Sequence, residues 1–204
     1  LGKHNFRVKY AAEQIARRLG NALVAPVLAY VPEGEINPPT GHMRFPGTIT
    51  LPLEYFIKVT EYAARSFKVH GFKDIVLIGD SGPNLKGLEA VANLLNKEWA
   101  GTGVRVHHPD RYYRGYGYGE WLMSQGETRE DIGTHAGISD TSPLMAINPK
   151  WIRMDKLALG GDPKVTGVRG NPARSSVAYG KKGLEMRIDA AVVQIRESMA
   201  RSRD

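Results

Sequence analysis

The chain has 204 residues, of which 42% are hydrophobic and 24% are charged. This length suits one domain with a continuous buried core and is too short for two domains of ordinary size. No apolar stretch approaches the roughly 18 residues of a membrane-spanning helix, so we expect no membrane span. The absence of cysteine excludes disulfides and thiolate metal ligands, which leaves His, Asp, Glu, Asn or water to bind any metal.

Basic residues outnumber acidic ones and give a formal net charge of +7. Such a charge permits attraction to phosphate-rich partners. The basic residues are dispersed along the chain, however, and no zinc-finger, RRM or KH pattern accompanies them. We therefore do not expect nucleic acid as a partner.

The opening of the chain, LGKHNFRVKY, lacks the apolar core and the cleavage site of a signal peptide. Leu1 is also not an initiator methionine. We therefore expect the chain to begin partway into a longer gene product and to be cytoplasmic.

The first part of the chain predicts a helix, a strand and a long loop. Apolar residues recur at helical spacing from Lys9 to Leu19, which predicts an amphipathic helix. The apolar run at 22–31, ALVAPVLAYV, predicts a strand buried on both faces. Residues 32–48 are crowded with proline and glycine and predict a long loop, a kind of segment that is often functional.

The middle of the chain alternates between helical and strand patterns. Leu53 to Val69 predicts a helix that ends near His70 and Gly71. Residues 73–80, KDIVLIGD, predict a second buried strand, and a helix is expected over residues 85–99. Residues 103–107 predict another strand.

Residues 110–121 are rich in aromatic residues and glycine and predict an ordered loop whose rings wall a pocket, and the last segment predicts a helix. Alternating strands and helices indicate an α/β fold with a mainly parallel sheet flanked by helices. Ligands bind outside the carboxyl ends of the strands in such sheets, so the loops after the first two strands are the candidate site.

The turn GDSGPN holds two candidate residues, Asp80 and Ser81. A carboxylate at this place can serve as a metal ligand or a general base near a positive helix terminus. Alternatively, Asp80 or Ser81 caps the following helix, and the glycines serve only the turn. Both interpretations remain open at this stage.

The segment HAGISDTS holds a second set of candidates. His135 can act as a base, a proton donor or a ligand near neutral pH, and Asp140 can bind a metal or orient the imidazole. Alternatively, Asp140, Thr141 or Ser142 caps a helix, and His135 is an ordinary polar neighbour.

Five further histidines lie outside these two motifs, and four of them are considered as candidates for a site. His42 follows the proline-rich loop and His4 lies near the start, so both reach the same crevice if the loops converge over the sheet. A lone histidine is more often structural. His107 and His108 are adjacent at a strand end and point to opposite faces, so we discount a shared metal.

Several segments taken in order resemble the creatininase, or creatinine amidohydrolase, family. They are FPGT at 45–48, HGF at 70–72, GDSGPN at 79–84 and HAGISDTS at 135–142, together with GVRGNP at 167–172, which is similar to a Gly-Asp-Pro segment of the family. The resemblance covers nearly the whole chain, and the ordered set is more specific than any one segment.

The resemblance implies a three-layer creatininase-like α/β fold formed by a single domain over residues 1–204. It also implies a homohexamer, one or two divalent metal ions such as zinc or manganese, and hydrolysis of a small cyclic or acyl amide. In that chemistry the metal activates a bound water, while an acid or imidazole delivers the proton to the leaving nitrogen. His135 matches the histidine of the family motif His-Ala-Gly.

This chain departs from the family pattern at the metal site. The Glu-x-His pair of the family lies upstream of the region that matches LGKHNFRV, so we expect the domain to lack that segment and its N-terminal strand. His4 matches a bridging aspartate, Ser81 matches a metal-binding histidine, and Asp140 matches a glutamate.

These comparisons predict His4, Asp80 and Asp140 as metal-site residues and His135 and Asp80 as catalytic residues. The predicted substrate-binding residues are Ser81, Asn84, His42, Thr141 and Ser142. Two alternatives to a self-contained hydrolase remain. One is a family member without catalysis that acts as a structural or ligand-binding subunit, and the other is a chain completed by a separate polypeptide that carries the missing segment.

Overall fold

The structure is a computed structural model that describes residues 2–156 and 162–201. Its helices are α1 (Lys3–Leu19), α2 (Leu53–Val69), α3 (Gly82–Glu98), α4 (Tyr118–Ser124), α5 (Arg129–Ile132), α6 (Ile138–Ile147), α7 (Pro163–Thr166) and α8 (Val177–Met199), and its strands are β1 (Asp74–Val76) and β2 (Arg105–His107). None of the helices within those ranges is long and apolar enough to cross a membrane.

The two strands form a parallel pair connected by α3. Ile75 lies opposite Val106 in the register. The ladder extends beyond the strands, because the Arg105 amide donates to the Lys73 carbonyl at 2.8 Å and the Leu77 amide donates to the His107 carbonyl at 2.8 Å. This unit confirms the predicted order of strand, helix and parallel strand.

Helices cover both faces of the pair. Ile75 and Val106 pack with Val91 and Leu95 of α3 and Ala64 of α2. On the other face, Val76 and Ile78 pack against a cluster supplied mainly by α1 and α8, with Ala11, Ile15, Leu184, Ile188, Ala191, Val192 and Ile195 buried. The layers of helix, sheet and helix confirm the α/β fold class.

The predicted strand at 22–31 is wrong for the structure described. This segment has no strand and no helix, and its side chains are mostly exposed, with Leu23 at 81%. An apolar run becomes a buried strand only when a neighbouring strand pairs with its backbone. Within the described residues, β1 and β2 pair only with each other.

The helices of the outer layers match the sequence patterns closely, with one extension that matters for function. Helix α2 has the predicted limits, and Gly71 follows it with a φ of 89°. Helix α1 begins at Lys3, six residues before the predicted start at Lys9. The additional turns bring His4 and Arg7 onto the face of α1 that points into the protein.

Helix α8 passes very close to α6, and glycine permits the contact. A Cβ atom on Gly180 would lie 1.9 Å from the carbonyl oxygen of Ser142. Ser142 is fully buried, and its hydroxyl accepts a hydrogen bond of 3.2 Å from the Ser176 amide. Because α6 carries Asp140, the contact between α6 and α8 helps to fix the position of the Asp140 carboxylate.

We predict that Gly180→Ala lowers the free energy of unfolding by about 1–3 kcal/mol or more, because the added methyl group overpacks the contact between helices. Urea denaturation measures the change. Gly119→Ala is the matched control, since no atom lies within 4 Å of its added Cβ. Equal stability of the two variants would contradict the close packing of α6 and α8.

Candidate active site

A cavity of about 830 Å³ opens beside the amino-terminal ends of α1 and α3. Residues of the 32–54 segment form much of its wall, and Tyr113 from the aromatic stretch joins them. Five of the residues predicted from sequence line it, namely His4, His42, Ser81, His135 and Asp140. The loops therefore converge on one crevice, which is the condition under which His4 and His42 share a site.

Arg7 connects the two candidate carboxylates beneath this cavity. Its Nε donates to Asp80 Oδ2 at 2.6 Å, and its Nη1 donates to Asp140 Oδ1 at 3.1 Å. Arg7 and Asp80 are each 3% exposed. Charge-assisted hydrogen bonds in a site closed to water are strong and directional, so Arg7 fixes the relative positions of α1, α6 and the turn after β1.

Each carboxylate has further donors. Asp80 Oδ1 accepts from Arg187 Nη1 at 2.5 Å and from the Tyr112 hydroxyl at 3.0 Å. Asp140 accepts from the Lys3 ammonium and, at 3.1 Å, from the Ala136 amide. Asp80 therefore lies inside the protein between two guanidinium groups, while Asp140 lies at the cavity wall.

The surrounding cations determine the protonation of both carboxyl groups. Burial by itself raises the pKa of Asp80, but Arg7, the hydrogen bond from His4 and Arg187 outweigh it and hold the pKa well below its usual range. Burial likewise raises the pKa of Asp140, and Lys3 and Arg7 reverse that effect. Both groups are carboxylates at neutral pH.

His4 is oriented by Asp80. Its Nδ1 lies 3.0 Å from Asp80 Oδ2, and a carboxylate only accepts hydrogen bonds, so Nδ1 carries the proton and donates it. Arg7 Nη2 lies 3.2 Å from the same nitrogen, but two donors do not form a hydrogen bond. This tautomer leaves a lone pair on Nε2 of a side chain that is 32% exposed at the cavity.

His135, also at the cavity wall, is held by a short antiparallel backbone bridge to Arg169. The Arg169 amide donates to the His135 carbonyl at 2.8 Å. Gly137 and Gly170 meet back to back, since a Cβ on Gly170 would lie 2.6 Å from the Cα of Gly137. The segments HAG and GVRGNP, separate in the sequence, are thus packed together in the structure.

The environment of His135 favours its neutral form. Burial lowers the pKa of His135, and the positive charge of Lys3 lowers it further. The ring of His42 meets the ring of His135 edge to face, with 5.2 Å between their centroids. A neutral imidazole at the cavity wall is able to accept a proton.

The other candidates occupy less direct positions. Ser81 is the residue before α3, but its side chain does not cap the helix. Asn84 and Ser142 are buried, and the Thr141 hydroxyl donates to the Ala136 carbonyl at 2.9 Å. Among the residues that the structure describes, Asn84, Thr141 and Ser142 are not part of the cavity wall.

His107 and His108 are bound away from the cavity. His107 Nε2 lies 2.9 Å from an Asp74 carboxylate oxygen, and its Nδ1 lies 2.7 Å from the Ser198 hydroxyl. His108 Nδ1 lies 3.1 Å from the Leu77 carbonyl. These contacts agree with a structural role for both side chains.

Arg7 and Arg187 were not among the residues predicted from the sequence. Their positions indicate buried ion pairs, because each is a charged residue on the apolar face of an amphipathic helix, where an unpaired charge is energetically costly. Arg7 follows His4 by one helical turn. The guanidinium of Arg187 lies over the ring of Tyr116, 4.7 Å from its centroid, and donates to its hydroxyl at 2.5 Å.

A metal ion at this place would need donors that face the cavity. In residues 2–156 and 162–201, no three His, Asp or Glu side chains are grouped closely enough to hold a metal by themselves. His4 and Asp140 fit as ligands, because an imidazole lone pair and a carboxylate oxygen lie at the wall. Asp80, enclosed by Arg7 and Arg187, fits better as the acceptor that orients His4.

A family model described as "Creatininase: Creatinine amidohydrolase" matches residues 1–195. The chain belongs to the creatininase family. This confirms the resemblance found in the motifs. A search of curated proteins finds no match.

Solved creatininase structures share the fold. A mutant creatininase complexed with creatine is 21% identical with a TM-score of 0.73, over 98% of this chain and 85% of that chain. A structure described as "Creatininase Mn" is 22% identical with a TM-score of 0.73, over 95% and 82%. A mutant creatininase of Zn-Zn type is 22% identical with a TM-score of 0.68, over 95% and 81%.

We predict that Arg7→Met lowers the free energy of unfolding by about 3–5 kcal/mol, because it removes one partner of a buried ion-pair network and leaves two carboxylates underpaired. Arg111→Met is the control. Arg111 and Glu197 are each about half exposed and lie 3.1 Å apart, and such surface pairs contribute less than about 1 kcal/mol. Denaturant unfolding of both variants measures the difference, and a loss below about 1 kcal/mol for Arg7→Met would contradict the bridge.

We also predict acid lability. A carboxyl group whose folded-state pKa is lowered stabilises the protein above its unfolded pKa of about 3.9, and this stabilisation is lost as the pH falls through the folded value. The free energy of unfolding should therefore decrease as the pH falls below about 5. Asp140→Asn should flatten this dependence, whereas Asp189→Asn, a change at the surface, should leave it steep. An unchanged slope for Asp140→Asn would contradict the assignment of the acid lability to the Asp140 carboxylate.

Proposed function

We propose that this chain hydrolyses the C–N bond of a small cyclic or acyl amide in the cavity beside α1 and α3. The proposal rests mainly on the convergence of a neutral imidazole, His135, and two potential ligands, His4 and Asp140, on one cavity of about 830 Å³. Membership of the creatininase family supports the same reaction class. The related mutant creatininase complexed with creatine supports a small substrate.

His135 acts as the general base in this proposal. Its lowered pKa keeps the imidazole unprotonated at neutral pH, so it is ready to accept a proton from the attacking water. The bridge to Arg169 and the contact between Gly137 and Gly170 fix the backbone that carries it. The base therefore requires little rearrangement before the reaction.

A zinc or manganese ion would be held by His4 through Nε2 and by Asp140. Such an ion supplies Lewis acidity, which polarises the amide carbonyl and makes a bound water more acidic. Asp80 would act through His4 by fixing its tautomer, as carboxylates behind metal-binding histidines do. Lys3 pairs with Asp140, so its ammonium would compete with the metal for that carboxylate.

Two ligands are fewer than the three that catalytic zinc sites take from protein. We propose that the Glu-x-His pair of the family completes the site, either from the same gene product or from a separate chain. Ser81 and His42 are the candidates at the cavity wall for contacts with the substrate. A cytoplasmic homohexamer with one creatininase-like domain per chain belongs to the same proposal.

A second candidate function is binding without catalysis. It is favoured by the three cations on the candidate carboxylates, since Arg7, Arg187 and Lys3 already neutralise Asp80 and Asp140. Such a protein would bind a small polar molecule in the same cavity and leave it unchanged. Metal content and turnover together distinguish the two candidates.

We predict that the full gene product, purified without chelators, contains about one or two equivalents of zinc or manganese and cleaves amides from a panel that includes creatinine. His135→Asn should lower kcat by about 100- to 10,000-fold with unchanged metal content, because it removes a general base. His70→Asn is the control, since His70 is exposed at the end of α2. Elemental analysis and amine release measure both properties. A metal-loaded protein without turnover would favour the binding function, and a protein without metal would oppose the hydrolase.

A further inference from the structure

A second pair of an imidazole and a carboxylate lies in the loop that faces His135. His42 Nδ1 forms a hydrogen bond with the carboxylate of Glu33. The Glu33 side chain is 14% exposed, and that of His42 is 37% exposed. Both residues line the cavity, so a shielded carboxylate supports an imidazole that remains accessible to small molecules.

Backbone contacts within the loop hold Glu33 and His42 close together. The His42 amide donates to the Glu33 carbonyl at 2.9 Å, and the Glu33 amide donates to the Thr50 hydroxyl at 3.0 Å. Gly41 is required at this crossing, because a Cβ there would lie 2.8 Å from the Glu33 carbonyl oxygen. The backbone thus fixes the pair independently of the side-chain bond.

The bond to Glu33 determines which nitrogen of His42 is free. A carboxylate only accepts, so Nδ1 carries the proton, and Nε2 remains available to exchange protons with a molecule in the cavity. The ring meets His135 edge to face, with the planes at 90° and the centroids 5.2 Å apart. One substrate can therefore contact both imidazoles.

We propose that His42, positioned by Glu33, is the general acid of the reaction for which His135 is the general base. This inference rests on the proposed amide hydrolysis. The water oxygen bonds to the amide carbon while His135 accepts a water proton. The C–N bond then breaks, and His42, which starts the cycle with a proton on each ring nitrogen, transfers the Nε2 proton to the leaving nitrogen and keeps the Nδ1 proton. Transfer of a proton from His135 to His42 restores both groups, and the net reaction is amide plus water to acid plus amine.

In this arrangement Glu33 is a positioning residue, since it touches His42 and not the reacting atoms. Its effect is to fix the tautomer and the ring orientation, as a carboxylate does for the imidazole of a hydrolytic triad. The sequence pattern predicts His42 as a substrate-binding residue. A substrate-binding role and a general-acid role for His42 predict different kinetics. Loss of a general acid slows the reaction most when the leaving group is poor, whereas loss of a binding contact does not depend on the leaving group.

The kinetic test uses the full protein and two amides with the same acyl part. One releases an alkylamine, which must be protonated to leave, and the other releases a nitroaniline, which leaves without that help. His42→Gln should lower kcat for the alkylamide by about 100- to 10,000-fold and affect the nitroanilide far less. His135→Asn should slow both substrates. Equal losses on both substrates, or an increase in KM alone for His42→Gln, would overturn the general-acid role.

The positioning role of Glu33 has a spectroscopic test that requires no turnover. Long-range proton–nitrogen spectra of labelled protein, with His42 assigned from His42→Gln, should show the proton on Nδ1. Glu33→Ala should abolish that preference, and Glu33→Asp should retain part of it. Glu35→Ala is the matched control, because its carboxylate makes no hydrogen bond within the described residues, and it should leave the His42 spectrum unchanged.

The two tests separate the failure of this inference from the failure of the proposed function. If the protein cleaves no amide, the proposed hydrolase function and the general-acid role of His42 are both overturned, whatever the spectrum shows. If amides are cleaved but His42 carries no proton on Nδ1, the Glu33–His42 pair alone is overturned. Turnover, the Nδ1 proton and the dependence on leaving group together would support it.

Discussion

The candidate site depends on one buried interaction, the bridge of Arg7 between Asp80 and Asp140. These three residues come from α1, from the turn after β1 and from α6, and Arg7 is 3% exposed. A guanidinium group presents several donors in a fixed plane, so one side chain satisfies two carboxylates and fixes three elements at once. Without it, the two negative charges would lie close together in a poorly solvated place.

The two carboxylates that Arg7 bridges, Asp80 and Asp140, have different roles. Asp80 is enclosed by Arg7, Arg187 and the Tyr112 hydroxyl, and its remaining contact orients His4. Asp140 lines the cavity, and the ammonium group of Lys3 contacts it there. The site thus presents an oriented imidazole, that of His4, and a carboxylate, that of Asp140, to the cavity. The cations around them are the reason that binding without catalysis stands as the second candidate function.

Backbone contacts that only small residues permit hold the segments that carry His135 and His42. Gly137 and Gly170 pack against each other beneath His135, and Gly41 allows the crossing that places His42 beside Glu33. Ser142 and Gly180 similarly bring α6 against α8. The motifs HAG and GVRGNP are therefore explained by their contact with each other, and the imidazole of His135 contacts that of His42 edge to face at the cavity wall.

The sequence by itself determined the amphipathic helices, the order of strand, helix and parallel strand, and the family, and it indicated His4, His42, His135 and Asp140 as candidate site residues. These follow from local periodicity and from motifs in fixed order. Only the tertiary structure decided that Arg7 and Arg187 enclose Asp80, that Glu33 supports His42, and that the apolar segment 22–31 remains exposed. Arg7 and Asp80 are 73 positions apart, and Arg187 and Asp80 are 107 apart. The pairing of such distant charges, like the pairing of a strand, depends on which elements pack side by side, and local sequence does not specify that.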